Sequence, residues 1–218
     1  MVSRSMFKSF TEKVSKKIRH GTVIQYLLAK LSQLGLSLDP YFLEREFYLP
    51  VSDLKVNINP KMESLTMSFL EPQEIDSIYE HPERDAAKEN YKIHDRISDS
   101  CLCFAVKHGQ KVIAYTWCDL KRCNHNPLRF KLKKTEAYLF DMYTFKAYRG
   151  KNIAPYMRHQ LYSHLNKMGR TDFFSVTSAF NNPSIRFKRK LGAYPSKLYL
   201  TIKLRNFYKR NLLLKSYS

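Results

Sequence analysis

Along the chain, apolar positions recur first at helical and then at alternating spacing. Met6, Phe10, Val14 and Ile18 stand four apart, with Lys13, Lys16, Lys17 and Arg19 largely off that stripe, which predicts an amphipathic helix over 5–19 with a basic side. Val23, Leu27 and Leu31 beside Ile24, Leu28 and Leu34 predict a second helix, with Gly35 as its stop. Asp39-Pro40 and the proline-punctuated stretch from Pro50 to Pro60 read as a connector. From residue 61 the pattern becomes a mixture of strands and helices. Strands are expected at 64–70, 101–106, 111–118, 137–145 and 172–177, with a last pair around 192–204. Helices are expected from Pro72 to Tyr79 and over 83–98, 155–168 and 183–190. Pro155 opens its helix where a missing N–H costs little, and Gly169 follows the end. A basic loop, 119–135, separates the hairpin from strand 137–145.

This order predicts an α+β domain with a largely antiparallel central sheet flanked by helices, carrying an N-terminal helical extension. The expected division is a basic extension and connector over 1–60, the main domain over 61–205 and a basic tail over 206–218. The N-terminal pair of helices reads either as packing on the main domain, as a contact between two copies in a homodimer, or as a membrane-surface element.

Composition narrows the class. At 218 residues with 44% hydrophobic and 14% aromatic content, the chain is long and apolar enough to enclose a core, so intrinsic disorder is excluded. No run of 18 apolar residues occurs, and no uninterrupted apolar segment follows the basic start. A cytoplasmic location is therefore the expectation, with attachment to the inner face of the membrane as its variant.

The formal net charge of +19 is unevenly placed. Residues 142–218 hold 16 bases and the single acid Asp172, whereas residues 63–99 hold ten acids and four bases. A uniformly basic nucleic-acid binder does not look like this, and nucleic acid is disfavoured as a partner. The pattern suggests one environment for anions and another that is less so.

Cys101, Cys103, Cys118 and Cys123 form no common metal spacing, even with His125, and read as buried thiols, so no metal is expected. HExxH, GxSxG, Walker and EF-hand motifs do not occur. The informative stretch is strand 137–145 followed by Tyr148-Arg149-Gly150-Lys151-Asn152-Ile153-Ala154 and a helix. Free N–H groups and the positive end of a helix dipole converge there, beside Arg149 and Lys151, on a site suited to a pyrophosphate.

Here the sequence resembles the GNAT superfamily of acyl-CoA N-acyltransferases. Its R-x-x-G-x-G/A motif is filled by Arg149, Asn152 and Ala154, with Asn152 replacing the middle glycine. A second block, SAFNNPSIRFKRKLGA (178–193), is similar to the family's N-x-x-(A/S)-I-x-x-(Y/H)-x-K-L-G-F segment, with Asn181, Ser184, Ile185, Lys190, Leu191 and Gly192 in register. The resemblance covers roughly residues 61–205.

It implies direct transfer of an acyl group, acetyl before others, from acetyl-CoA or another acyl-CoA to an amine. Backbone groups of Met142, Tyr143 and Thr144 would meet the pantetheine arm and the thioester, the amide near Met142 serving the oxyanion. Arg149, Gly150, Lys151, Asn152, Ile153, Ala154 and Pro155 would hold the pyrophosphate, and Asn181 would reach the pantetheine. Lys188 stands where relatives place an acidic tyrosine, and Phe140 where they often place a glutamate. The candidate base is therefore Asp141, and the candidate acids are Lys188 and Tyr143, with Tyr194 and Tyr199 as substitutes. The acceptor would be a small molecule or a sugar- or lipid-linked amine, and acyl-carrier protein is an alternative donor for a basic surface. The competing reading is a GNAT scaffold without chemistry that binds an anionic partner, whether membrane surface, acyl-carrier protein or nucleic acid.

Overall fold

A computed structural model describes residues 22–54, 57–79, 81–83, 95–126, 128–205 and 207–217. The expected helix over 5–19 and most of the one over 83–98 lie outside them; residues 95–98 form one helical turn. Helix α1 (Thr22–Gln33) leads into strand β1 (Leu36–Glu46). Then follow β2 (Leu65–Phe69), α2 (Pro72–Tyr79), β3 (Leu102–His108), β4 (Lys111–Asp119) and a small hairpin, β5 (Arg122–His125) with β6 (Leu128–Lys131). The chain continues through β7 (Glu136–Thr144), α3 (Ile153–Lys167), β8 (Asp172–Ser178), α4 (Asn182–Lys190), β9 (Tyr194–Leu204) and β10 (Tyr208–Ser216).

Eight strands form one sheet in the order β10-β9-β1-β8-β7-β4-β3-β2, and β5–β6 forms a separate two-stranded ribbon. Every pairing in the large sheet is antiparallel except β7 with β8. This is the mixed α+β architecture that the alternation of elements predicts. Strands β3 and β4 are buried on both faces. Phe104, Val106 and Leu139 pack on one face with Met157, Leu161 and Leu165 of α3. Cys103, Tyr115 and Trp117 pack on the other face with Ile75 and Ile78 of α2.

Three expectations are corrected. The stretch around Asp39-Pro40 is no connector: it is β1, placed inside the sheet between β8 and β9. Pro40 is tolerated because of where the ladder ends. Its carbonyl accepts from Ala179 N–H at 2.9 Å, on the β8 edge, one residue past the last ladder pair Tyr41↔Ser178. In a strand, N–H and C=O of one residue share an edge, so the missing donor falls where β8 has stopped. Loop 119–135 contains the β5–β6 hairpin. The expected pair of strands around 192–204 is the single strand β9, and its partner is the supposed tail, now β10.

Candidate active site

The site is built on an irregularity of β7. Between Phe140 and Tyr143, β7 takes three steps while β4 takes two, from Trp117 to Tyr115. The extra residue is a β-bulge, and Asp141 within it has φ +46°. One consequence is that Leu139 and Met142, an odd number apart, pack against the same core, while Phe140 and Tyr143 pack against the opposite one. The second irregularity is a splay. The parallel ladder of β7 with β8 holds only for Glu136↔Asp172, Ala137↔Phe173 and Tyr138↔Phe174. Beyond Tyr138 the two strands part, and the backbone from Leu139 onward has no ladder partner on that edge.

Three cavities follow this opening. A cleft of about 220 Å³ lies in the splay itself, bordered by Leu139 to Met142 on one strand and Ser175 to Ser178 on the other, with Asn181 and Lys188. It shares Phe187 with a second cavity of about 540 Å³, lined by Thr144, Arg149, Gly150, Asn152 to Pro155, Arg186 and Lys190. It shares Phe140, Asp141 and Val176 with a third of about 420 Å³, lined also by Asp95, Arg96, Asp99, Cys101, Asp119 and His125. The outer two are of ligand size, and the narrow middle one suits a thread-like arm. The arrangement is thus a passage from a basic mouth, through the sheet, to an acid-lined chamber.

The basic mouth has an anion-binding geometry. Asn152 caps α3 in the left-handed region (φ 62°, ψ 18°), a conformation asparagine tolerates, and its amide donates to the carbonyls of Asn57 at 3.3 Å and Asn59 at 2.9 Å. Its side chain does not cap the helix, whose first N–H groups are thus left to a ligand. Arg149 donates through Nε to the Thr144 carbonyl at 2.9 Å and lies 5.2 Å from the Tyr143 ring centroid. Lys151 departs from its expected place: its ammonium lies 5.4 Å from the Tyr148 ring centroid, and the side chain is not among those lining the mouth. Arg186 and Lys190, one turn apart on α4, stand there instead. Pro183, Arg186, Phe187 and Lys190 recur at helical spacing, a stripe that is visible in the sequence as one face of α4.

Of the expected catalytic residues, Asp141 and Lys188 border the cleft and Tyr143 does not. Asp141 borders both cleft and chamber, and its carboxylate accepts from Arg96 Nη1 at 2.6 Å. Arg96 is itself held over Trp117 and Phe140, 5.1 and 5.3 Å from their ring centroids. The Tyr143 hydroxyl donates to Glu83 at 3.1 Å. Asn181 places its Oδ1 on the Ser184 N–H at 3.3 Å, capping α4 while bordering the cleft.

Lys188 is corrected from acid to structural cation. Its ammonium reaches Glu44 at 2.5 Å, Ser175 at 2.6 Å and Thr177, which takes up all three donors of a lysine. It belongs to a buried ionic layer that sequence reasoning missed. Glu46 accepts from Arg158 Nε at 3.1 Å and from the hydroxyls of Tyr162 and Ser175, and lies 3.8 Å from Lys188. All four charged side chains are at most 4% exposed, and two acids balance two bases. Burial alone would push the Glu46 carboxyl up, but Arg158 and Lys188, with the Ser175 and Tyr162 hydroxyls, outweigh it and hold it below 4.5. The layer ties α3 through Arg158 and α4 through Lys188 to one strand, β1, so the two helices that flank the passage share an anchor.

Residues 63–193 match the acetyltransferase (GNAT) family. Among curated proteins, none matches the chain significantly in sequence. Solved structures share its fold at low identity. A GCN5-related glucosamine N-acetyltransferase region of a fungal multi-domain β-N-acetylglucosaminidase is 15% identical with a TM-score of 0.56, over 81% of this chain and 22% of that one. A GNAT-family acetyltransferase from Colwellia psychrerythraea is 14% identical with a TM-score of 0.55, over 78% of this chain and 57% of that one. A GCN5-related N-acetyltransferase-like protein from Streptococcus suis is 14% identical with a TM-score of 0.54, over 85% and 67%. The chain therefore spans less than two thirds of each of the first two relatives. With the family match running through both motif blocks and both of the splayed strands, this chain belongs to the GNAT acetyltransferase family.

Proposed function

We propose that the protein transfers an acyl group, acetyl before longer chains, from acyl-CoA to the amine of an acceptor held in the acid-lined chamber. The observation that carries this reading is the passage through the β7–β8 splay, which joins a basic mouth to that chamber past Asp141. Acyl-CoA would supply a thioester, whose C–S bond breaks as the N–C bond forms, the amine giving up a proton and the leaving thiolate taking one. The donor set fits this molecule: Arg149, Arg186, Lys190 and the start of α3 suit a pyrophosphate, with Tyr148 and Phe187 as apolar walls. Asp141 stands at the junction of cleft and chamber, where it would accept the amine proton. Met142, within the bulge, has no ladder partner on β4 or β8, and its amide would serve the oxyanion.

Cys101 also borders the chamber, but burial, with Asp119 and Asp99 nearby, pushes its thiol up to about 12. A thiol so rarely ionised is a poor nucleophile, which favours direct attack over an acyl-cysteine. The reading as a scaffold without chemistry is not favoured by a passage lined in this way.

Two experiments test the proposal, each with thiol release from acetyl-CoA and a panel of amines as the assay. Arg149→Ala combined with Arg186→Ala should weaken acetyl-CoA binding by about tenfold or more, each loss removing a charge-assisted contact. Lys151→Ala should have a smaller effect, and the reverse ranking would place the pyrophosphate elsewhere. Asp141→Asn should slow transfer by about a hundredfold with acetyl-CoA affinity kept. A wild-type rate would remove Asp141 as base.

A further inference from the structure

The acyl passage accounts for little of the last two strands. Among the described residues, strand β10 pairs only with β9, and eight of its nine residues are exposed, among them Leu212, Leu213 and Leu214. At its start the β9–β10 turn meets the α1–β1 corner, where Arg205 N–H donates to the Gly35 carbonyl at 2.7 Å. Phe207 is 87% exposed and Leu34 75% exposed at this tip, with Leu204 also exposed. Residues 194–217 carry six bases (Lys197, Lys203, Arg205, Lys209, Arg210 and Lys215) and no acid. Large apolar side chains at such exposure, set among bases alone, need an explanation.

We propose that this tip and the β10 edge form a docking surface for an anionic lipid bilayer. The combination decides the partner. A nucleic acid would use the bases but has no use for exposed leucines and a phenylalanine. A second copy pairing along β10 would set bases against bases, with no acid on either strand to offset them. A bilayer with anionic headgroups satisfies both features: the apolar tip enters the interface while the bases meet phosphates. The unpaired backbone of the β10 edge stays at headgroup depth, where water and phosphates satisfy it, and not in hydrocarbon.

The surface also stands at the right end of the molecule. Strands β1 and β9 run on together past Tyr41↔Ser178 as far as Leu36↔Leu204, five residues beyond the end of β8. That projection of about 17 Å lies at the C-terminal ends of β7 and β8, where the basic mouth also opens. Strand β10 borders the acid-lined chamber through the β5–β6 hairpin. Lys209 Nζ donates to Asn126 Oδ1 at 2.6 Å, Tyr41 OH donates to Asn211 at 2.8 Å, and the Tyr41 ring lies 5.2 Å from that of His125. His125 in turn lines the chamber. A docked bilayer would thus lie beside the acceptor chamber.

The test is co-sedimentation of the full chain with vesicles of phosphatidylcholine alone or with about one-third phosphatidylglycerol, in low salt and high salt. Wild type should pellet with the anionic vesicles only, and salt should release it. Leu34→Ser with Phe207→Ser should weaken binding by about tenfold, and Lys209→Glu with Arg210→Glu by at least about fivefold per base. Thermal melts should show that these exposed substitutions leave the fold intact. Equal binding to neutral vesicles, no binding, or unchanged binding in the Leu34/Phe207 variant would overturn the proposal. So would loss of binding only on replacing Lys13, Lys16, Lys17 and Arg19, which would assign the membrane contact to the N-terminal segment. A two-copy mass in solution that the Leu34/Phe207 variant abolishes would assign the surface to a dimer instead.

Discussion

A fragment comprising residues 61–218 should fail to fold, although it retains every position that matches the family. The missing strand, β1, is interior: it pairs with β8 along Tyr41–Glu46 and with β9 along Leu36–Arg45. Without it, β9 and β10 have no ladder to the rest of the sheet, and the β8 edge opens beside the cleft. Lys188 and Arg158 would lose Glu44 and Glu46, leaving two buried cations unpaired. Each such loss costs about 3–5 kcal/mol, so together they approach the whole stability of an ordinary domain. The expected result is insoluble or unfolded protein, whereas a fragment starting at residue 22 should fold. Circular dichroism and gel filtration distinguish the two. A folded, monomeric 61–218 fragment would mean that β1 is dispensable and that the ionic layer holds nothing together.

Glu46→Ala in the full chain should lower stability by about 3–5 kcal/mol, or on the order of 10 °C in melting temperature. The change removes the carboxylate that receives Arg158, Tyr162 and Ser175, and it strips Lys188 of its second acid. What remains is a buried guanidinium with, among the described residues, one side-chain hydrogen bond left, to the Thr116 hydroxyl at 3.4 Å. Replacing the pair together, Glu46→Leu with Arg158→Met, should recover much of the loss, because no unpaired charge is then buried. A single variant within a degree or two of wild type would show that the layer contributes nothing net. Acid should act on the same group. The Glu46 carboxyl is held below 4.5, so its contribution is fully present above that value and is lost as pH falls through the lower folded-state value. Melting temperature plotted against pH should therefore fall below about pH 4.5 more steeply in wild type than in the double variant.

The basic turn before α3 and the helix α4 were legible in the sequence because their determinants are local. A strand, a glycine-containing basic turn and an acid-free helix make an anion site wherever they occur, and Asn152 supplies its own left-handed cap. The position of Asp141 beside the passage was legible too, but not the bulge that puts it there. That bulge is a mismatch between two strands 20 or more residues apart in sequence, and one strand alone carries no sign of it. The pairing of Lys188 is hidden from the sequence for a related reason. Nothing near it in sequence is acidic; its partner Glu44 lies 144 residues away.

Residues 36–46 mark the boundary most clearly. With Pro40 inside and Asp39, Glu44, Arg45 and Glu46 along it, the segment has the local features of a solvated connector. Only the completed sheet turns it into an interior strand, because Pro40 lands where β8 ends and both glutamates meet cations brought by α3 and α4. By itself, then, the sequence determined the kinds of element, their order and the basic turn that opens α3, all of which depend on neighbours within a few residues. The tertiary structure decided which strand completes the sheet, which charges cancel in the interior, and that β7 and β8 part to form a passage, since each depends on groups that meet only when the chain has folded.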